Sequence, residues 1–312
     1  MHARRSGQGR GLKVHRDMLP FVPFMEAPAQ APVAFRSSAA QLGAVALVRE
    51  GFREILSRRR LIRYLVQADL KKKGSDTLLG NIWWVLDPLL QMAVYVVLVS
   101  VIFQKSQPDY PLFVFAAILP WKWFSSTVQD AITSVVAAER LIKQIHFPKL
   151  VLPLATEFAG IAGFVFGLIP LFGLMLAFYR DRISLWLLLI PVVAVVQFLF
   201  TIAVATALSA INVFFRDVGN VSRHALRLWF YLSPALYSTS AIESLHSSNP
   251  IAYHVMTSNP FAILFGSYRN LIYDRTGPDW LGLGVLSLVS LVLVALAILL
   301  FKRVEPSFAK VL

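Results

Sequence analysis

Long apolar runs alternate with short polar segments along most of this chain. Runs of bilayer length cover residues 82–103, 111–136, 151–178, 184–213 and 280–301, and a shorter run covers 225–237. About 20 apolar residues, each rising 1.5 Å, cross a hydrocarbon core of roughly 30 Å. The pattern predicts an all-α integral membrane protein with six transmembrane helices.

A different periodicity precedes the first run. Between residues 48 and 70, apolar side chains such as Phe52 and Leu65 recur every three or four positions, and arginines occupy the other faces. This pattern is typical of an amphipathic helix lying in the membrane interface. The alternative is a solvated helix packed on a partner. We assign residues 41–79 to the interfacial helix and the approach to the first span. The basic, proline-rich residues 1–40 are predicted to be a disordered cytoplasmic tail.

The segment between the last two predicted spans, residues 238–278, contains two Asn-Pro pairs, at Asn249 and Asn259. Asn-Pro favours turn initiation, and Pro is tolerated at the first position of a helix. We therefore expect two short helices separated by these breaks, on the extracytoplasmic side. Because the fifth span is short, we expect this segment to dip back into the bilayer.

Composition supports the membrane assignment. Of the 312 residues 57% are hydrophobic and only 15% charged, whereas soluble domains carry about 25% charged residues. Most of the 30 lysine and arginine residues precede the first span or fall in alternate loops and the C-terminal tail. The positive-inside rule then places both termini in the cytoplasm of a multi-pass cytoplasmic (inner) membrane protein. Anionic lipids, rather than nucleic acid, are the expected partner of the net charge of +13.

Several classes of chemistry are excluded by the residues present. The chain has no cysteine, and its six histidines show no metal-ligand spacing, so no metal site is expected. No GxxxxGK[ST] loop occurs, so ATP and its Mg²⁺ would have to be bound by a separate subunit. We expect no catalytic residue and no cofactor on this chain, which is then a transport component rather than an enzyme.

Four ionisable residues fall inside predicted spans: Asp87, Lys122, Asp130 and Glu157. Charges at membrane depth are costly unless paired or hydrated, so they are functional candidates. They line a hydrated cytoplasmic vestibule in one interpretation and merely hydrogen-bond neighbouring helices in the other.

Aromatic residues form the second candidate group: Trp83, Trp84, Tyr95, Trp121, Trp123 and Phe124. Aromatic faces suit a path for sugars, since the ring face accepts the C–H side of a pyranose. An interfacial belt, for the first two, and packing between helices, for the deeper ones, are the alternatives. In the third span Ala159, Gly163 and Gly167 repeat every four residues, a small-residue face expected to pack within the bundle.

Several short motifs recur in a fixed order from about residue 61 to the C-terminus. The first contains Asp69, Lys71, Lys73, Thr77, Leu79, Gly80 and Trp83, and the second contains Leu119, Pro120, Trp121 and Phe124. The later ones are the loop from Glu139 to Lys149, Phe215-Arg216-Asp217-Val218, Ser233-Pro234, Asn259-Pro260 with Tyr268-Arg269, and the tail with Phe301, Glu305, Pro306 and Phe308. Together they resemble the permease subunits of ABC-2 type exporters for polysaccharides, O-antigens and teichoic acids, with residues 80–312 as the ABC-2 transmembrane domain.

The resemblance implies a homodimeric permease bound to two copies of a cytoplasmic ABC ATPase. Its substrate would be a polyprenyl-diphosphate-linked glycan used in building the cell envelope. The resemblance implies that Arg58, Arg59, Arg60 and Arg63 contact the diphosphate, that the six aromatic residues line the glycan channel, and that Asn259, Pro260, Tyr268 and Arg269 belong to an extracytoplasmic gate. Coupling to the ATPase would use Glu139, Arg140, Leu141, Ile142, Lys143, His146, Phe147, Pro148 and Lys149.

Three other functions stay open at this point. An ABC-2 permease for a small amphiphile or drug would share the fold and the coupling loop. An ion-coupled carrier would use Asp87, Asp130 and Glu157 to bind protons or cations, although no internal repeat is visible. A membrane scaffold that transports nothing is the third.

Overall fold

The computed structural model describes residues 43–74, 80–104, 107–237, 243 and 245–312, and all regular structure in these ranges is helical. The predicted tail and the motif residues Thr77 and Leu79 lie outside the described residues. The helices are α1 Ala44–Ser57, α2 Arg59–Gly74, α3 Trp83–Val96 with its π-helical extension Val97–Ile102, α4 Tyr110–Ala137, α5 Glu139–Gln144, α6 Val151–Phe178, α7 Ile190–Phe214, α8 Val218–Leu232, α9 Leu245–Ser248, α10 Pro250–Thr257, α11 Pro260–Arg269 with its π-helical extension Asn270–Asp274, α12 Trp280–Val304 and α13 Phe308–Val311. Short 3₁₀ turns cover Gly80–Ile82, Arg180–Arg182, Leu185–Leu189 and Glu305–Ser307.

Four helical segments are long and apolar enough to cross a membrane: Trp83–Ile102, Val151–Phe178, Leu185–Phe214 and Trp280–Val311. They coincide with four of the six predicted spans, so the chain is an all-helical, multi-pass membrane protein. The second predicted span forms α4, whose 28 residues would measure about 42 Å. Since α4 and α8 are not among these four segments, six crossings remain a prediction.

Helix α4 lies at the centre of the bundle and packs against α3, α6, α7 and α8. Every residue from Leu112 to Trp121 is buried. The fully buried amide of Gln197, on α7, donates a hydrogen bond of 2.7 Å to the carbonyl oxygen of Pro120. This buried stretch carries no charge, and the two charged residues of α4, Lys122 and Asp130, follow it and pair with Asp87 and Lys73.

The single amphipathic helix predicted for residues 48–70 is in fact two helices, α1 and α2, that meet at Arg58. Helix α1 packs on α12, and α2 packs on α6. A Cβ atom at Gly51 would lie 2.5 Å from Ile298 Cγ2, so α1 approaches α12 closely. Each helix buries its apolar face against a different span, and the chain must therefore turn between them.

The fifth predicted span, residues 225–237, is also misplaced. The corresponding helix, α8, begins at Val218 and ends at Leu232, before Pro234. Its 15 residues measure about 22 Å, less than a hydrocarbon core of roughly 30 Å. Arg223 and Arg227 lie on this helix, and both side chains are exposed.

The two Asn-Pro breaks begin helices as expected. The Asn249 side chain accepts a hydrogen bond from the backbone amide of Ala252 and caps α10, while Asn259 accepts one from Phe261 and caps α11. A proline occupies the first position of each helix, where no backbone donor is needed. Phe261 is fully buried against Trp121 of α4, so α11 packs inside the bundle.

Candidate functional site

A polar groove of about 930 Å³ lies between α3, α4 and α8. On α8 its walls carry Arg223, Arg227 and Tyr231, which recur every four residues and therefore share one helix face. The other walls include Gln91 and Tyr95 of α3 and Lys122, Ser125, Ser126 and Gln129 of α4. We call this space the basic groove.

Charge in the basic groove is unevenly compensated. Lys122 Nζ lies 2.5 Å from Asp87 Oδ2, which gives an ion pair at the edge of the groove. Arg223 and Arg227 are both exposed to the groove, and no carboxylate is among the described residues that line it. The groove therefore presents two uncompensated guanidinium groups among neutral hydrogen-bonding side chains.

A second space, the side cleft, lies between α2, α3, α4 and α6 and has a volume of about 770 Å³. Its lining includes Lys73, Trp83, Trp84, Asp87, Lys122, Trp123 and Asp130. Lys73 Nζ lies 2.7 Å from Asp130 Oδ2 and 3.2 Å from Asp69 Oδ2, which joins the end of α2 to α4. Burial lowers the pKa of Lys73, but the two carboxylates outweigh it and raise that pKa above its ordinary value.

Three of the four predicted vestibule charges therefore border the side cleft, and Glu157 does not. Glu157 is fully buried, and its Oε1 accepts a hydrogen bond of 3.1 Å from Thr206 Oγ1 on α7. Its position on α6 faces α7 rather than the cleft, and hydropathy could not reveal that rotation. For Glu157 the geometry matches the alternative interpretation, a hydrogen bond to a neighbouring helix.

The six aromatic candidates separate into three groups. Trp83, Trp84 and Trp123 border the side cleft, whereas Tyr95 and Trp121 border the basic groove. Phe124 is fully buried, with its ring centroid 4.7 Å from that of Phe261. Trp121 and Trp123 expose little surface, since Trp121 packs on Phe261 and Trp123 stacks on Phe164. Within one chain the deeper aromatic rings mainly join helices to one another.

The predicted gate residues connect α11 to the end of α8. Asn259 accepts a hydrogen bond from Trp229 Nε1 at 3.0 Å and donates one to Ser233 Oγ at 2.7 Å. Arg269 is buried and donates to the carbonyl oxygens of Pro234, Ala235 and Phe113. The Pro234 and Ala235 carbonyls lie just after α8 has ended, so the guanidinium supplies donors that the backbone lacks there, and its contact with Phe113 joins α11 to α4.

Pro260 is the first residue of α11, and Tyr268 near its other end is almost fully buried. The Tyr268 hydroxyl has no hydrogen-bond partner among the described residues. Together with Asn259 and Arg269, these residues bring the four predicted gate positions onto one short buried helix.

The predicted coupling loop forms the short helix α5 and an extended turn after it. Ile142 and Phe147 are buried, whereas Arg140, Lys143 and His146 are exposed. The Lys149 backbone amide donates a hydrogen bond of 2.7 Å to Glu305 Oε1, which ties the loop to the end of α12. Leu141 is 36% exposed and Ile145, which the sequence analysis did not single out, is 53% exposed. The loop thus presents an apolar pair at spacing i, i+4 within a charged surface.

Lys143 completes the arrangement of α5. Its ammonium group lies 2.6 Å from Glu139 Oε1 and 2.8 Å from the carbonyl oxygen of Leu312. The hydrogen bond from Lys143 holds the pKa of the Glu139 carboxyl below its ordinary value. Because Lys143 contacts Leu312, Leu141 and Ile145 lie at the same end of the molecule as α13.

The four predicted diphosphate contacts, Arg58, Arg59, Arg60 and Arg63, are all exposed. They lie at the junction of α1 and α2 and along α2, outside both the basic groove and the side cleft.

Sequence analysis missed most of the polar residues of the basic groove, although a signal for them existed. Asp87, Gln91 and Tyr95 recur every four residues in an otherwise apolar run, as do Arg223, Arg227 and Tyr231 on α8. Each series marks one polar stripe on a helix. Only the fold shows that Gln91 and Tyr95 of the first stripe line the same groove as the α8 stripe.

Comparison with known proteins identifies relatives over most of the chain. The O-antigen export system permease protein RfbA of Myxococcus xanthus is 34% identical over 258 residues, which are 83% of this chain and 97% of that protein. Two proteins of the same description from Klebsiella pneumoniae are each 28% identical over 253 residues, 81% of this chain and 95% of theirs. No protein-family model matches the chain.

Proposed function

The chain belongs to the ABC-2 type permeases that include the O-antigen export system permease proteins, and on that premise we propose that it exports a polyprenyl-diphosphate-linked polysaccharide across the cytoplasmic membrane. A separate ABC ATPase, in two copies, supplies the energy and binds ATP and Mg²⁺. The permease itself is a homodimer.

The observation on which this proposal chiefly rests is the basic groove. It presents amide, hydroxyl and guanidinium groups between helices whose outer faces are apolar. Such a surface lets a hydroxyl-rich chain exchange its water hydrogen bonds for protein ones while it passes the bilayer. An amphiphile would use these donors only at its head group, whereas a glycan can use them along its whole length, which favours the glycan over an amphiphile.

The proposed orientation follows the distribution of basic residues. In the proposed topology α4 and the segment from α8 to Tyr237 add two crossings to the four long apolar segments, and both termini and α5 then lie in the cytoplasm. Helices α10 and α11 then enter the bundle from the extracytoplasmic side and serve as a gate, while α1 and α2 lie in the cytoplasmic interface. Arg58, Arg59, Arg60 and Arg63 meet anionic headgroups or the incoming lipid diphosphate there.

Helix α5 is the proposed contact with the ATPase. Leu141 and Ile145 supply an apolar pair that a shallow groove of the partner can bury, and Arg140 and His146 lie beside them at the surface. The hydrogen bond from the Lys149 amide to Glu305 would transmit a push on α5 to the end of α12. Truncating Leu141 and Ile145 to Ser should therefore weaken ATPase binding, whereas Lys310→Met, on α13, should leave it intact.

Depletion of the chain in cells tests the proposed function. The expected result is loss of surface polysaccharide together with accumulation of lipid-linked glycan on the cytoplasmic face, because synthesis continues while export stops. Unchanged lipid-linked glycan would refute glycan export and leave an amphiphile permease, and failure to copurify with any ATPase would favour an ion-coupled carrier or a scaffold.

A further inference from the structure

Two arginines on α8 have open space in front of them and no acidic partner among the described residues. Arg223 and Arg227 line the basic groove, one helical turn apart. By contrast Lys73 pairs with Asp130, Lys122 with Asp87, Lys143 with Glu139 and Lys302 with Glu54. Neither Arg223 nor Arg227 forms an ion pair of this kind with a described residue.

A neutral donor in the same groove also lacks a partner. The Gln129 amide nitrogen is buried, and no hydrogen-bond partner for it occurs among the described residues. A buried donor left unsatisfied costs about 1–3 kcal/mol, a cost that a bound acceptor would remove. The buried Gln129 donor and the two exposed guanidinium groups thus line the same groove without a hydrogen bond or ion pair to a described residue.

The geometry and charge select the class of ligand. Side chains one turn apart on a helix have Cβ atoms about 5–6 Å apart, so both guanidinium groups can reach adjacent phosphoryl groups. Guanidinium binds phosphate oxygens in bidentate fashion and stays charged at any physiological pH. Two uncompensated positive charges match a diphosphate diester, which carries two negative charges, better than a single carboxylate.

We propose that Arg223 and Arg227, with Gln129 as a neutral donor, form a binding site for the diphosphate group of the exported lipid-linked substrate. This inference rests on the proposed function. It places the diphosphate inside the bundle during transport, at a site distinct from the exposed arginines of α2. An anionic phospholipid headgroup offers the same phosphate chemistry, and the experiment must separate these two sources.

Binding of undecaprenyl diphosphate to the purified permease–ATPase complex, in nanodiscs of uncharged phosphatidylcholine, provides the test. The double variant Arg223→Gln/Arg227→Gln should weaken binding more than fivefold, because the charge match is lost while length and polarity are kept. Arg223→Lys/Arg227→Lys should recover part of the affinity. The matched comparison is Arg59→Gln/Arg63→Gln, an equivalent i, i+4 pair on α2.

A loss of less than fivefold in the Arg223/Arg227 variant would overturn the proposal, as would a greater loss in the Arg59/Arg63 variant. Copurification of each variant with its ATPase shows that the fold is retained. If cardiolipin binds at the groove and undecaprenyl diphosphate does not, the occupant is a membrane headgroup and the assignment to substrate is wrong. These outcomes are independent of the depletion experiment, which tests export in cells without reference to the two arginines.

Discussion

Replacing Lys302 with Met should destabilise the protein more than removal of any surface lysine. The Lys302 side chain is 7% exposed, and its ammonium group lies 2.9 Å from both carboxylate oxygens of Glu54, 3.0 Å from Glu305 and 3.9 Å from Glu50. Glu305 in turn accepts the backbone hydrogen bond from Lys149. One buried cation therefore joins α1, the end of α12 and the coupling loop.

The expected magnitude follows from what the substitution leaves behind. Breaking a buried ion pair by removing one partner costs about 3–5 kcal/mol, since the remaining charge is uncompensated. We expect about 3 kcal/mol, the lower end, because the Glu54 side chain is 22% exposed and water can reach part of it. For 312 residues, at an unfolding entropy of about 2.1 cal/mol/K per residue, that corresponds to a fall of roughly 5 °C in the unfolding midpoint.

The loss should depend on pH in a defined direction. Burial already raises the pKa of Glu54 above its ordinary value, and removing the cation removes the contacts with Lys302 that oppose the rise. A carboxyl with a raised pKa in the folded state destabilises that state when ionised, and stability returns as pH falls through the raised value. The Lys302→Met defect should therefore be larger at pH 8 than at pH 5.

Thermal unfolding in detergent, followed by tryptophan fluorescence, measures both effects. Lys310→Met removes an exposed lysine eight positions away and serves as the control. Adding Glu54→Gln to Lys302→Met should recover part of the loss, because one uncompensated carboxylate disappears. The reasoning is refuted if Lys302→Met and Lys310→Met unfold at the same temperature, or if the double variant is less stable than Lys302→Met alone.

The remaining predictions concern α6, α5 and α11. Gly160→Ala should lower the unfolding midpoint, because its Cβ would lie 2.1 Å from a threonine hydroxyl of α4 and overpacking costs about 1–3 kcal/mol. Gly163→Ala has open space around the new methyl group and should be neutral or slightly stabilising. Equal unfolding midpoints for the two variants would contradict this prediction. In an NMR titration the Glu139 carboxyl should have a pKa below its ordinary value of 4.5, and Lys143→Met should raise that pKa. The stability that this ion pair contributes is fully present above the ordinary pKa of Glu139, and it is lost as pH falls through the lowered pKa of the folded state. Arg269→Met should lower the free energy of unfolding by about 2 kcal/mol or more, since three buried carbonyls lose their donor, and Arg269→Lys should lower it less. If Arg269→Met has the melting curve of the parent protein, these hydrogen bonds do not stabilise the fold.

Most of the candidate residues were visible in the sequence, but their grouping was not. Asp87, Lys122 and Asp130 do border one cleft, whereas Glu157 turns away from it toward Thr206. Gly163, expected at a helix contact, has open space, while its neighbour in the repeat, Gly167, packs against Leu119 of α4. A hydropathy pattern records which residues are apolar, and it leaves undetermined how far each helix rotates about its axis.

The helical class, the four long apolar spans and the Asn-Pro breaks follow from the sequence alone. A bilayer accepts only segments that satisfy their own backbone hydrogen bonds, so length and composition nearly determine a spanning helix. Asn and Pro affect the backbone only within a few residues of their own positions. The starts of the helices capped by Asn249 and Asn259 could therefore be predicted from the local sequence alone.

Only the tertiary structure decided how distant residues meet. Lys302 and Glu54 are 248 positions apart, and residues of α3, α4 and α8 together line the basic groove. The junction at Arg58 likewise reflects two helix faces that pack on different spans. Packing among helices of similar apolarity depends on shape complementarity and on a few polar contacts. Both are properties of a pair of helices, so neither can be predicted from one segment of sequence alone.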